Sequence, residues 1–136
     1  MSDCVFCRIV AKSIPATVVR EDEHTLAFMD IGQVNPGHVL VALKAHAENV
    51  YGLEEPQAAA VFIAVRRVAR AIREAFKPEG LSIYQANGKP AGQTVFHFHI
   101  HLVPRHEGDG MAFTWPVKNP PREKLEDYAA RIRARL

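Results

Sequence analysis

The most regular pattern of apolar and polar positions runs from residue 96 to residue 103. His97, His99 and His101 alternate there with bulky apolar side chains. Strict alternation predicts a half-buried β-strand whose successive side chains point to opposite faces, so the three histidines are expected to share one face. The side chains expected in the core from the other face are Phe96, Phe98, Ile100 and Leu102.

Similar patterns predict four more strands and one long helix. Two short apolar segments flank a polar turn and indicate a hairpin, a continuous apolar run indicates a central strand, and a second alternating segment indicates a partner for the histidine strand. The expected ranges of these strands are 17–21, 25–29, 38–43 and 81–86. Glu54-Glu55-Pro56 favours a helix N-terminus, and apolar residues recur from there at three- and four-residue steps to Phe76.

Together these elements predict an α+β fold. An apolar turn at Ile9 and Val10 and a pattern over 122–136 add short helices at the two ends of the chain. We therefore expect an antiparallel sheet of about five strands with one long helix packed on it. A length of 136 residues favours a single domain over residues 1–136.

Composition excludes several classes of protein without identifying one. The formal net charge of +2 is too small to indicate a nucleic-acid or membrane surface as partner. No apolar run approaches the roughly 20 residues of a membrane span, and the N-terminus lacks the basic and apolar segments of a signal peptide. We expect a cytoplasmic protein with no nucleic-acid or membrane partner.

Two cysteines near the N-terminus have the spacing of a zinc knuckle or a redox pair. Cys4 and Cys7 are not followed by a thioredoxin-like unit of strand, helix and strand, so the redox interpretation lacks support. A zinc site needs two more ligands, which the seven histidines can supply. From spacing alone, a pair of thiols with no special role is an equal alternative.

The three alternating histidines are hard to explain as an ordinary strand face, because imidazole nitrogens demand hydrogen-bond partners. A metal site and a catalytic face are the two functional interpretations. Neutral imidazole is a good nucleophile near pH 7 and can form a covalent phosphoramidate that water cleaves. His99 is flanked by the other two histidines and is the best placed attacker. The preceding loop offers a glycine, an amide and a hydroxyl at Gly92, Gln93 and Thr94, a composition suited to binding an anion.

The segment His97-Phe-His99-Ile-His101-Leu-Val103 resembles the motif of the histidine triad (HIT) family of nucleotide hydrolases and transferases. The resemblance covers residues 4 to about 105, which would form the core of the domain, with a tail and helix over 106–136. It implies cleavage at the α-phosphate of purine nucleoside phosphoramidates, as in the Hint branch, or of dinucleoside polyphosphates, as in the Fhit branch. A covalent nucleotidyl-histidine intermediate would form, without a cofactor for catalysis.

Roles for individual residues follow from the same resemblance. His99 would be the nucleophile, with His38 and His101 in support, and Asp30 would accept hydrogen bonds from the ribose. The residues implied to hold phosphate oxygens or the leaving group are Asn87, Gln93 and Thr94. The residues implied to form an apolar slot for the base are Phe6, Ile9, Phe28 and Ile31.

The resemblance also implies a structural zinc site and a homodimer. A likeness to the zinc site of galactose-phosphate uridylyltransferases gives four ligands, namely Cys4, Cys7, His46 and His97. Two subunits would join through the long helix and the strand that follows it. The alternatives to the hydrolase are a nucleotide-binding or interaction module with vestigial hydrolysis, and a zinc enzyme that uses the three histidines as ligands.

Overall fold

A computed structural model describes residues 3–112 and 114–136 of the chain. The strands within these ranges are β1 Val18–Glu21, β2 Thr25–Met29, β3 Val39–Leu43, β4 Gly80–Tyr84 and β5 His99–Arg105. The α-helices are α1 Val5–Val10, α2 Glu55–Phe76 and α3 Arg122–Arg133. Short 3₁₀ turns lie at Val50–Gly52 and Lys89–Ala91.

The five strands form one antiparallel sheet in the order β1-β2-β3-β5-β4. The continuous apolar run of β3 occupies the centre, and all five of its residues are buried. The hairpin of β1 with β2 and the pairing of β4 with β5 agree with the sequence pattern. The α+β fold class, with about five antiparallel strands and one long helix, is confirmed.

Helix α2 covers one face of the sheet. It begins with a capping box, in which the Gln57 side chain accepts a hydrogen bond from the Glu54 backbone N–H at 2.9 Å, and it ends at Lys77 in a left-handed conformation. Its buried stripe packs against alternate residues of the central strands. The stripe consists of Val61, Ala64, Val65, Val68 and Ile72.

The opposite face of the sheet is covered only in part, by the short helix α1. Phe6 of α1 joins a second apolar cluster with Phe28 and Leu40, which alternate along β2 and β3 with the residues that face α2. His99 and His101 lie on this same face, because Ile100 and Leu102, which alternate with them, point to α2. The sheet therefore presents its histidines on the side where space remains.

The histidine strand begins later than the alternation predicts. Residues 95–97 form a bend, and Phe96 is 43% exposed, so the expectation that Phe96 enters the core is wrong. The physical reason is that the Phe98 N–H bonds to the carbonyl of Ala47 at 2.7 Å, beyond the end of β3. That contact replaces the regular ladder just before His99. Phe98, Ile100 and Leu102 are buried as expected.

The C-terminal helix α3 is three residues shorter than expected, and none of its residues is buried. Within the described ranges, no helix combines the length and the apolar character needed to cross a membrane.

Candidate active site and metal centre

Three histidines form a cluster on the open face of the sheet. His99 and His101 lie on β5, and His38 directly precedes β3. The antiparallel register of β3 and β5 brings His38 Nε2 to 2.9 Å from His101 Nδ1. The ring centroids of His99 and His101 are 5.1 Å apart. The structure therefore brings together the three residues expected to carry out catalysis.

One backbone contact fixes the protonation of His99. Its Nδ1 lies 2.6 Å from the carbonyl oxygen of His97. Since a carbonyl oxygen can only accept a hydrogen bond, Nδ1 carries the proton of the neutral ring and Nε2 keeps the lone pair. Nε2 has no hydrogen-bond partner in the described part of the chain. The ring is thus in the tautomer that a nucleophile requires.

A second set of contacts connects the other two rings. The Val34 N–H lies 3.3 Å from His38 Nδ1, and His38 Nε2 faces His101 Nδ1 at 2.9 Å. Asp30 Oδ2 lies 3.4 Å from His38 Nε2 and 3.7 Å from His101 Nδ1. Asp30, His38 and His101 thus form a connected group of polar side chains.

Burial keeps these three rings neutral near pH 7. It lowers the pKa of His38 and His99, because an imidazolium is poorly solvated inside the protein. The pKa of His101 falls to about 4, because the neighbouring His99 and His38 add to the effect of burial. The Asp30 carboxylate opposes the shift at each ring. The unprotonated, nucleophilic form of His99 therefore dominates at neutral pH.

A cavity of about 330 Å³ opens beside His99. The four side chains expected to form the base slot all line it, namely Phe6, Ile9, Phe28 and Ile31. Phe6 stands edge-on to Phe28 and to the His99 ring, with centroid distances of 5.3 and 5.0 Å. Ile31 is fully exposed, which puts it at the mouth of the cavity. Asp30 and His101 line the same space.

Thr94 is the residue of the expected phosphate-binding set that lines this cavity. Its hydroxyl and backbone N–H have no partner among the residues that the structure describes. Gln93, by contrast, is buried and its amide is engaged. Its Oε1 accepts from the Gly88 N–H and its Nε2 donates to the Glu48 carbonyl, both at 2.7 Å.

Asn87 also has its polar atoms engaged within the protein. Its Oδ1 accepts from the Val50 N–H at 2.8 Å, and its amide exchanges two hydrogen bonds of 2.7 Å with the amide of Gln85. The side chains of Gln93 and Asn87 thus shape the loop over residues 87–94. Thr94 is presented to the cavity at the end of that loop.

Four predicted metal ligands converge at a second site, on the other side of Phe6 from the cavity: Cys4, Cys7, His46 and His97. His97 Nδ1 lies 3.3 Å from Cys4 Sγ, 3.5 Å from Cys7 Sγ and 3.2 Å from His46 Nδ1. Cys7 Sγ lies 3.3 Å from His46 Nδ1. A tetrahedral zinc ion with bonds of about 2.0–2.3 Å separates its ligands by about 3.3–3.8 Å. The donor set and its spacing fit zinc.

The protonation of His97 also fits a metal ligand. Its Nε2 lies 2.6 Å from the Leu43 carbonyl and must donate to it, which leaves the lone pair on Nδ1, directed at the two sulfurs. Burial and the adjacent Cys4 sulfur raise the pKa of the Cys7 thiol. A cation at this point would reverse that effect by stabilising the thiolates.

The model of the HIT domain matches residues 11–108. This chain belongs to the HIT family. The expected family membership is therefore confirmed. The crystal structure of a HIT family member from Bacillus subtilis superimposes on this HIT protein with a TM-score of 0.94 and 46% identity. The alignment covers 98% of this chain and 97% of that chain.

Two further relatives of this HIT protein bear on its chemistry. The adenosine 5'-monophosphoramidase hnt1 of Schizosaccharomyces pombe is 33% identical to it, over 98% of each chain. A zinc-bound histidine triad family protein from Mycobacterium smegmatis is 36% identical, with a TM-score of 0.77 over 99% of each chain. The first relative is named for an activity on a nucleotide, and the second contains zinc.

Gln33, which the sequence pattern does not single out, shapes the candidate active site of this HIT protein. Gln33 closes the loop between Asp30 and His38: its Oε1 accepts from the N–H groups of Gly37 and His38, both at 3.0 Å. Its Nε2 donates to the carbonyls of Asp30 and His38, at 2.5 and 2.7 Å. No local signal distinguishes Gln33 from an exposed loop glutamine, because its partners become close only when the loop folds back.

Proposed function

We propose that this HIT protein hydrolyses nucleotides at the α-phosphate and releases a nucleoside monophosphate. The substrates would be purine nucleoside phosphoramidates or dinucleoside polyphosphates. The observation that carries the proposal is the 2.6 Å contact of His99 Nδ1 with the His97 carbonyl, which leaves the Nε2 lone pair on a ring that lines the cavity. The monophosphoramidase named in fission yeast supports the same class of reaction.

In the first step, His99 Nε2 attacks the α-phosphorus, and a phosphorus–nitrogen bond forms as the bond to the leaving group breaks. We propose that protonated His101 donates a proton to the leaving group. The anionic phosphate of a bound substrate would raise the pKa of His101 above about 4. The ring can then be protonated and donate that proton.

In the second step, water attacks the same phosphorus and the bond to His99 breaks. Neutral His101 accepts the proton of the attacking water, so both rings return to their starting states. Thr94 would donate hydrogen bonds to the phosphoryl oxygens, since its hydroxyl and N–H are both unused in the described structure. His38 would hold the His101 ring through the 2.9 Å contact.

The rest of the nucleotide would occupy the cavity beside His99. The purine would lie in the apolar slot between Phe6, Ile9 and Phe28, with Ile31 at the mouth. Asp30 would accept hydrogen bonds from the ribose hydroxyls, for which a carboxylate is suited. We assign to Gln93 and Asn87 the shaping of the loop over residues 87–94, here called the phosphate loop, because their amides are already bonded.

Zinc would be held by Cys4, Cys7, His46 and His97 as a structural ion. Four protein ligands leave no open position, so the ion would stabilise the protein without taking part in the reaction. It would fasten α1, and Phe6 with it, to the segment that precedes His99. The ring of His97 would then bind zinc and take no part in catalysis, while the His97 carbonyl would accept the hydrogen bond from His99 Nδ1.

The active form would be a homodimer joined through α2 and β4. Phe62 on α2 is 58% exposed and Ile83 on β4 is 48% exposed, and both line a groove of about 580 Å³. Leu81 and Ile72 add apolar surface to the same groove. Such a patch on the face that carries α2 is typical of a subunit interface.

The decisive experiment compares AMP release by wild type, His99→Ala and His24→Ala. The substrates are an AMP amidate and a diadenosine polyphosphate, and binding of AMP is measured separately. We expect His99→Ala to lose turnover by at least about a thousandfold while it keeps the fold and AMP affinity, because the nucleophile is gone and the slot remains. His24 lies in the exposed turn between β1 and β2, so His24→Ala should behave as wild type.

Each other result has a definite meaning. Near-normal turnover by His99→Ala would exclude the covalent mechanism. AMP binding without AMP release from either substrate would favour the module with vestigial hydrolysis. Chelation that stops turnover while the fold is unchanged would favour a zinc enzyme.

A further inference from the structure

Tyr84 lies on the catalytic face of the sheet, next to a histidine of the cluster. It is the last residue of β4 and is paired with His101 of β5 in the antiparallel register. Side chains that are directly opposite in such a pair point to the same face. The Tyr84 and His101 rings have centroids 5.7 Å apart and planes inclined at 57°. Tyr84 therefore flanks His101 on the β4 side, away from the nucleotide cavity over β2 and β3.

The Tyr84 hydroxyl is bonded to the loop that leads to Thr94. It donates to the carbonyl oxygen of Ala91 at 2.9 Å. Two other side-chain contacts tie this loop to distant segments, from Gln93 to the Glu48 carbonyl and from the Val50 N–H to Asn87, and both lie outside the histidine strand. Tyr84 thus joins the phosphate loop to the side of the sheet on which His101 lies.

Gly92 is fitted to that hydroxyl. Its φ of +95° is a conformation that residues with a Cβ rarely adopt. A Cβ at this position would in addition lie 2.8 Å from the Tyr84 hydroxyl oxygen. The hydroxyl therefore occupies the space that a side chain at residue 92 would need. The Tyr84 hydroxyl and Gly92 are therefore packed against each other, directly before Gln93 and Thr94 in the chain.

We propose that Tyr84 is a positioning residue for the reaction. Its hydroxyl, in contact with Ala91 and Gly92, holds the phosphate loop in a fixed position relative to His101. The proposal rests on the proposed function, because it assigns Tyr84 to the leaving-group side of the same site. Tyr84 itself does not touch the reacting atoms. It acts through Thr94, whose hydroxyl and N–H face the phosphoryl oxygens in the proposed mechanism.

The first test is Tyr84→Phe, which removes the hydroxyl and keeps the ring beside His101. We expect kcat on the AMP amidate to fall about 3- to 10-fold, the effect of losing one neutral hydrogen bond. KM and AMP affinity should stay within about twofold, because the base slot lies on the other side of His101. The matched control is Tyr51→Phe, since Tyr51 is 85% exposed and its hydroxyl makes no hydrogen bond in the described structure, and it should leave kcat unchanged.

In the second test, the effect of Tyr84→Phe on kcat should change sign when Gly92 is replaced by alanine. Gly92→Ala should lower kcat by at least about tenfold, because the new Cβ is strained and meets the Tyr84 hydroxyl. In that background, Tyr84→Phe removes the oxygen that the Cβ meets, so the double variant should be more active than Gly92→Ala alone. If the hydroxyl matters only for general stability, Tyr84→Phe should lower activity in both the wild-type and the Gly92→Ala backgrounds.

Amide hydrogen exchange over residues 88–94 separates this proposal from the proposed function. Faster exchange in Tyr84→Phe, with partial recovery from Gly92→Ala in the double variant, supports the positioning role even if wild type releases no AMP. Wild-type turnover with unchanged kcat and exchange in Tyr84→Phe would overturn the positioning role alone. A double variant that is additive in both kcat and exchange would overturn it as well.

Discussion

At the scale of single residues, backbone carbonyls decide which chemistry each imidazole can perform. The Leu43 carbonyl takes the Nε2 proton of His97, and the His97 carbonyl takes the Nδ1 proton of His99. Two histidines only two residues apart therefore carry their lone pairs on different ring nitrogens, Nδ1 in His97 and Nε2 in His99. His97 directs its Nδ1 lone pair at two thiols, as a zinc ligand would, and His99 keeps on Nε2 the lone pair that a nucleophile requires.

The first prediction concerns the pH dependence of stability. Folding lowers the pKa of His101 from 6.5 to about 4, so between these values the unfolded chain binds a proton that the folded chain does not. His101 should leave the free energy of unfolding unchanged above pH 6.5, and lower it progressively as the pH falls towards 4. In His101→Gln, the loss between neutral and acid pH should be smaller than in wild type by on the order of 2 kcal/mol.

Urea unfolding at a series of pH values, with the same metal loading for each protein, measures this difference. His24→Gln is the matched control, because His24 is exposed and should give the wild-type slope. If His101→Gln lost stability with acid as steeply as wild type, the burial of a neutral ring at this position would not be the cause.

At the scale of elements, helix α1 connects the two sites. Cys4 is its N-cap and Cys7 is its third residue, while Phe6 between them contacts the rings of both His97 and His99, at centroid distances of 5.8 and 5.0 Å. A helix of six residues is too short to be stable alone. Its position depends on what holds the two cysteines, and the wall of the nucleotide cavity depends on its position.

The second prediction follows from that dependence. Cys7→Ser should lose bound zinc and destabilise the protein by about 3 kcal/mol when free zinc exceeds its Kd a hundredfold. Amide exchange should accelerate first in α1, and AMP affinity should fall as Phe6 loosens. Metal analysis, exchange and AMP titration measure these effects. Ser13→Ala, in the loop after α1, is the control that should keep the metal. Wild type that retains no zinc after zinc is supplied would contradict the prediction.

Much of this arrangement could be predicted from the sequence, but some contacts could not. The alternation of apolar residues with His99 and His101 predicted the faces of β5, because the polarity of each side chain in a strand matches the face to which it points. The start of β5 was misplaced, since it depends on the Ala47 carbonyl, which is distant in sequence. The roles of Gln33 and Tyr84 were missed for the same reason: their partners become neighbours only in the folded sheet.

At the scale of the whole molecule, the two faces of the sheet have different tasks. One face carries the cavity and the histidines, and the other is covered by α2. The outer side of α2 and the edge strand β4 still expose large apolar side chains at Phe62 and Ile83. Arg66, Arg70 and Arg73 border that groove, which gives an apolar centre with a charged rim.

The last prediction tests the homodimer at this surface. Phe62→Glu places a charge in the groove, where burial against a second subunit would remove its hydration, so the variant should be a monomer. Sedimentation velocity should give twice the chain mass for wild type and the chain mass for Phe62→Glu, with unchanged circular dichroism. Tyr51→Glu is the matched control, because Tyr51 is an exposed aromatic outside the groove, and it should remain a dimer. Wild type that sediments as a monomer at tens of micromolar, or Phe62→Glu that still sediments as a dimer, would place the interface elsewhere or exclude it.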